Sequence, residues 1–204
     1  QIPLSRALAE RNRVEEALQL IRNAAQSLKH YADRANDKDI TVALAAAYEY
    51  WGYIAGFALV DYGAAAEPWK RSYDIREKLY QQNPTDSRSG HQLARSCWSM
   101  GKLYAFGGNM VEAEKTLRKA VQLCRDATEQ HPSMPRYRNE LAFSNLLLAT
   151  TLARRMKLSE AENCFRQALV NREQEVAAAP ERLLARNQLI RVHIGLQGIL
   201  EQTG

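Results

Sequence analysis

The phrase "MVEAEKTLRKA" at 110–120 returns 48 residues later as "LSEAENCFRQA" at 158–168, and a chain that repeats itself at a fixed interval is constrained to stack copies of one structural unit. The same slot holds "VEEALQLIRNA" at 14–24 and "GAAAEPWKRSY" at 63–73. The anchoring alanines Ala17, Ala65, Ala113 and Ala161 keep the 48-residue period. So do the large apolar residues Ile21, Trp69, Leu117 and Phe165, and the prolines Pro84, Pro132 and Pro180.

Within each copy the apolar residues fall at i, i+3, i+4 and i+7, a helix face and not a strand alternation. "LYAFGGN" at 103–109 ends one helix, because its glycines can adopt the left-handed cap. Pro132 stops the next helix, and Pro135 suits the first turn of the one after. Each repeat therefore reads as a helix hairpin, with first helices near 39–61, 86–107, 134–156 and 181–201. The second helices fall near 14–31, 65–82, 111–130 and 159–178. One hairpin cannot bury its own apolar face, so neighbours must stack.

These columns resemble the tetratricopeptide repeat, W-x2-L-G-x2-Y…A-x3-F…P. Cys97-x2-Met100-Gly101-x2-Tyr104, Ala113-x3-Leu117 and Pro132 follow that order. Asn145-x2-Leu148-Ala149-x2-Leu152, Ala161-x3-Phe165 and Pro180 follow it more loosely. Tyr48-x2-Trp51-Gly52-x2-Ala55, Ala65-x3-Trp69 and Pro84 fit with one extra residue, which is placed in the turn. The period of 48 exceeds the usual 34, which implies longer helices, about 30 Å for 20 residues. The resemblance implies an all-α, right-handed superhelical solenoid of antiparallel helix hairpins. One domain is expected over 1–204, with repeats at 1–36 (partial), 37–84, 85–132, 133–180 and 181–204 (partial). It is similar to the repeat regions of large bacterial proteins, including some serine/threonine kinases.

"ALAERNRVEEA" at 7–17 matches "LYAFGGNMVEA" at 103–113, so the chain enters near the end of a first helix. Residue 1 is Gln, and "LIRVHIGLQGILEQTG" at 189–204 matches a first helix without its second. More protein is expected on at least one side. "VALAAAYEYWGYIAGFALV" at 42–60 has the length of a membrane span, but Glu49 sits inside it and Asp39 and Asp61 flank it. It reads as a buried helix whose Gly52-x3-Gly56 pair permits close packing.

The residue chemistry points away from catalysis. No Lys-Ser/Thr follows "AFGGNM", so it is no phosphate loop. Cys97 and His91 could be drawn as a nucleophile and base, yet Cys97 occupies an apolar column. Glu112, Glu114, Glu160 and Glu162 read as first-turn carboxylates favoured by the helix dipole. Cys97, Cys124 and Cys164 are odd in number and widely spaced, as in a reducing, cytoplasmic setting. The histidines show no metal-ligand spacing. The expectation is a non-enzymatic chain without cofactor, metal, small-molecule substrate or membrane segment.

The net charge of +5 comes wholly from residues 93–204, with 16 Lys+Arg against 11 Asp+Glu. This favours an acidic partner, and it leaves nucleic acid as a third reading behind protein binding. In tetratricopeptide proteins the first helices line a concave groove for a peptide. Carrying those columns over implies a groove of Glu49, Tyr50, Tyr53 and Phe57, then Arg95, Trp98, Lys102 and Phe106, then Arg154 and Arg191. Phe143, Leu146 and Thr150 fall in the same columns with less weight. The carboxylate clamp of heat-shock co-chaperones needs Lys and Asn where Glu49 and Tyr53 stand, which argues against that use. The leading function is a protein-interaction or scaffold module holding a peptide or partner domain. The alternative is the regulatory repeat region of a larger enzyme such as a kinase. Trp98 is the sharpest test: an anchor would lose about 2 kcal/mol of binding on truncation, a core residue about 3–5 kcal/mol of stability.

Overall fold

The computed structural model describes residues 13–35 and 37–203. Among these, the regular structure is helical throughout: α1 Val14–Ala35, α2 Lys38–Tyr53, a π-helical turn Ile54–Ala58, α3 Tyr62–Gln82, α4 Ser87–Phe106, α5 Met110–Gln130, α6 Pro135–Arg154, α7 Leu158–Ala178 and α8 Leu183–Thr203. The helices fall where the period places them. The helix end expected at 7–12 lies outside the described residues. The chain divides into two compact units, Gln1–Pro84 and Thr85–Gly204. That division coincides with a repeat boundary read from the sequence.

In the N-terminal unit, Ala17, Leu18, Ile21 and Ala25 of α1 pack with Leu44, Ala47, Tyr48 and Ile54. Trp69 of α3 is fully buried over Gly52 and Gly56. A Cβ on Gly52 would stand 2.3 Å from the indole, and one on Gly56 2.7 Å from it. The Gly-x3-Gly pair therefore makes a slot for one indole ring. The extra residue of this repeat does not sit in the turn. It is taken up inside the helix, where Leu59 N–H donates to the Ile54 carbonyl across five residues, a π turn. No helix among the described residues is long and apolar enough to cross a membrane. In 42–60, Leu44, Ala45, Ala47, Tyr48, Gly52, Ile54, Ala55 and Gly56 are buried within the unit.

The C-terminal unit is built from α4 to α8. Leu117 of α5 stands against Gly101 of α4, where an added Cβ would meet its Cγ at 2.6 Å. Phe165 of α7 reaches forward to Gly195 of α8, 2.4 Å from such a Cβ. Around these contacts Leu117, Val121, Leu146, Leu148, Leu152, Phe165, Val192 and Ile199 form the core.

The hairpin turns share one demand. Val60, Gly108 and Met156 occupy one repeat column, and all three are left-handed, with φ of 55°, 79° and 59°. Asn109 N–H bonds Tyr104 carbonyl at 2.9 Å and Lys157 N–H bonds Leu152 carbonyl at 3.0 Å, closing matching C-terminal caps. The next column caps the following helix: Asp61 accepts from Ala64 N–H at 2.8 Å and Asn109 from Glu112 N–H at 3.2 Å. Lys157 cannot accept, and its ammonium turns to Glu114 at 2.8 Å instead.

Glu114 is more than a first-turn carboxylate. It is buried, and it accepts from Arg118 of its own helix, from Arg155 in the next hairpin turn and from Lys157. Burial pushes its pKa up, but the bonds from Lys157 and Arg118 outweigh it and hold the carboxyl down to about 2.

Met156 is exposed and left-handed, so Met156→Gly should raise stability by about 1 kcal/mol in thermal or urea melts, whereas Gly52→Ala should lower it by about 1–3 kcal/mol. Because the Glu114 pKa lies below its unfolded value, its contribution is complete above the ordinary carboxylate range and fades as pH falls toward 2. Glu114→Gln should therefore cost about 2–3 kcal/mol at pH 7, with wild type and variant converging by about pH 2.

Candidate partner-binding surface

In the N-terminal unit, Tyr50, Tyr53 and Phe57 form a ladder down one side of α2 and the π turn, with ring centroids 5.9 and 5.0 Å apart. Phe57 continues it onto Tyr62 at 6.2 Å and Trp69 at 6.0 Å. Trp69 anchors the ladder in the core, while Tyr53 and Phe57 are exposed. Glu49 lies on the same helix but is spent inside: its Oε2 accepts from Arg76 of α3 at 2.7 Å, with both side chains nearly buried. An ion pair so withdrawn from water has little left to offer a partner.

Two clefts of the C-terminal unit are lined in part by first-helix residues. The first, of about 480 Å³, is lined by Trp98 and Phe143 together with Arg136, Asn139, Arg172 and Glu175. Trp98 is half-buried, donates its indole N–H to Ser144 Oγ at 2.8 Å, and meets Phe143 edge-on at 5.0 Å. Its polar end is thus fixed inward. The second cleft, of about 370 Å³, is lined by the apolar Leu146, Phe165, Ile194 and Gly195 and by Arg154 and Arg191.

Lys102 of α4 joins them, since its Nζ lies 5.5 Å from the Phe143 ring centroid and it feels the charge of Arg191. Burial first, and then Arg191, pull its pKa below the usual lysine range. Trp98 and Phe143 thus line the first cleft, Arg154 and Arg191 the second, and Lys102 lies against the Phe143 ring. Arg95 is half-buried, and Phe106 is exposed at the last residue of α4. Thr150 lines the second cleft and spends its hydroxyl on the Leu146 carbonyl at 2.9 Å, and Leu146 itself is core.

The first cleft also holds residues that first-helix columns could not point to. Arg172, on α7, is buried; it donates to Glu175 and, at 2.9 Å, to the Asn139 carbonyl. Burial foremost lowers its pKa, with the Glu175 pairing opposing that shift. The signal lay in the second helices: Arg76 and Arg172 stand two periods apart in a column that holds buried Cys124 between them.

Cys97 and Cys124 are buried free thiols, and burial pushes Cys124 up to about 12, beside Ser144 Oγ at 3.4 Å. His91 is buried between Tyr137, Arg136 and Glu140. Among the described residues no group of His, Cys, Asp and Glu could hold a metal ion.

BtubC from P. vanneervenii shares the arrangement with a TM-score of 0.63 at 14% identity, over 93% of this chain and 66% of that one. A Podosopora anserina protein of nearly identical kinesin-light-chain TPR-like repeats matches with a TM-score of 0.57 at 22% identity, over 99% and 90%. The fold is tetratricopeptide-like. No family profile and no curated protein matches the chain. In tetratricopeptide-like terms, α2, α4, α6 and α8 are first helices and α1, α3, α5 and α7 second helices.

Trp98→Ala is expected to lower stability by about 2–4 kcal/mol, since it removes the Ser144 bond and the contact with Phe143. Trp98→Phe, which keeps most of the ring, should cost about 1–2 kcal/mol in the same melts.

Proposed function

We propose that this chain is a protein-interaction module whose C-terminal unit holds an acidic segment of a partner protein across the strip formed by α4, α6 and α8. The observation that carries this reading is the pairing of aromatic and apolar clefts with cations at their junction. Lys102 lies over the Phe143 ring and feels the charge of Arg191, and Arg154 and Arg191 line the second cleft with its apolar residues. Two cations held near one another in a partly desolvated place repel, and an incoming carboxylate relieves that repulsion. Apolar side chains of the partner fill the two clefts and supply buried area, while the cations set orientation and speed the encounter. The exposed Tyr53–Phe57 ladder of the N-terminal unit is a separate apolar contact surface of the same module.

Selection from a displayed random-peptide library tests this. The wild-type chain should enrich peptides that combine Asp or Glu with a large apolar residue, with affinity that falls as salt rises. The charge-reversed variant Lys102→Glu/Arg191→Glu should lose those peptides by tenfold or more, about 1.4 kcal/mol, while keeping its helical spectrum. Enrichment of basic peptides, or equal binding by the variant, would overturn the acidic-segment reading.

A further inference from the structure

A third cleft, of about 310 Å³, opens between the second helices α5 and α7, with Asn145 and Leu148 of α6 also lining it. Its wall on α5 carries Gln122 and Arg125, and its wall on α7 carries Glu160, Cys164 and Gln167. Two features set it apart from ordinary inter-helix packing. Asn145 is 1% exposed, yet neither its Oδ1 nor its Nδ2 has a hydrogen-bond partner. Arg125 is half-buried beside it and makes no hydrogen bond or ion pair among the described residues. Buried amides and cations are ordinarily satisfied, and a carboxamide with both ends idle calls for a partner that accepts at one point and donates at the next.

Packing does not demand this amide. In the preceding repeat the column of Asn145 holds Cys97, fully buried and apolar in behaviour. The Arg125 column holds Glu77 before it and Glu173 after it, so the repeat itself does not call for a guanidinium here. Acceptors are wanted by Arg125 and Asn145 Nδ2, and a donor by Asn145 Oδ1. A bare carboxylate meets only the first need, and an amine only the second. The volume sits at the small end of ligand pockets, which run from roughly 300 to 1,000 Å³.

We infer that this cleft binds a small carboxylate with a hydrogen-bond donor on the adjacent carbon, the chemistry shared by free α-amino acids and α-hydroxy acids. The carboxylate bridges Arg125 and Asn145 Nδ2, and the neighbouring ammonium or hydroxyl donates to Asn145 Oδ1. The sequence gives no reason to expect a small-molecule substrate, and none is implied: the ligand is bound, not converted. The site is independent of the partner-binding strip.

Thermal melts of the whole chain test it, with glycine, alanine, glutamate, glutamine and lactate as probes and acetate and methylammonium as controls. At about 10 mM, a probe with a Kd of about 0.1 mM raises the melting temperature by several degrees. At least one amino or hydroxy acid should do so saturably, and the controls should not. Amino acids alone, or lactate alone, would distinguish which donor the cleft prefers. Asn145→Leu and Arg125→Gln, each checked for helix content, should each weaken the shift tenfold or more, while Lys102→Glu should leave it intact. No saturable shift with any probe would overturn the inference, as would a shift that survives both substitutions or disappears in Lys102→Glu. An Asn145→Leu variant that melts higher than a wild type unmoved by any probe would mark the amide as water-filled packing only.

Discussion

Each hairpin depends on one large side chain seated in a gap left by small ones. Trp69 needs two glycines, Gly52 and Gly56, because an indole spans more than one turn of the facing helix. Leu117 needs only Gly101. In the next repeat the Gly101 column holds Ala149, and Phe165 reaches across to Gly195 on the following helix. Knob and gap change together from repeat to repeat while the anchoring alanines Ala17, Ala65, Ala113 and Ala161 stay at zero exposure. Close approach of the backbones is thus conserved as a volume and not as a residue type, which is what dense interior packing requires.

Charge is divided between structure and surface by the same geometry. Glu114 draws three cations from its own helix and the next turn, and Arg76 and Arg172 are paired out of reach of water. Glu114 thereby binds one repeat to the next, while Arg76 and Arg172 are paired within their own repeats, each at a desolvation cost that the pairing offsets. Other cations of the C-terminal unit, Arg154 and Arg191 among them, line the second cleft.

The helices were legible because burial is periodic, and alanine at every forty-eighth residue can only mean the same contact made again. The spacing of Tyr50 and Tyr53 puts both on one helix face, whereas the step to Phe57 crosses the π turn. Other features were hidden for physical reasons. Glu114 looks like its neighbour Glu112 in sequence, and only the fold of the next turn brings Arg155 and Lys157 to one and not the other. Trp98 was placed by its column, but its indole bond to Ser144 depends on how two first helices face each other. Glu49 was assigned to a groove, and its pairing with Arg76 depends on a contact 27 residues away. Arg172 escaped because a buried arginine on a second helix gains meaning only when Asn139 and Glu175 are seen around it.

The added residue in the N-terminal unit could have lengthened a loop, but it was absorbed as the π turn at Ile54–Ala58. Each residue advances an α-helix by about 100°. An insertion within the helix therefore rotates everything on its N-terminal side about the helix axis, while the hairpin turn at Val60 and Asp61 keeps its form. The direction in which Tyr50 and Tyr53 look out is set by this phase offset and not by their identity. A repeat protein built this way can re-aim an aromatic face by gaining or losing a single codon, with every side chain on that face unchanged.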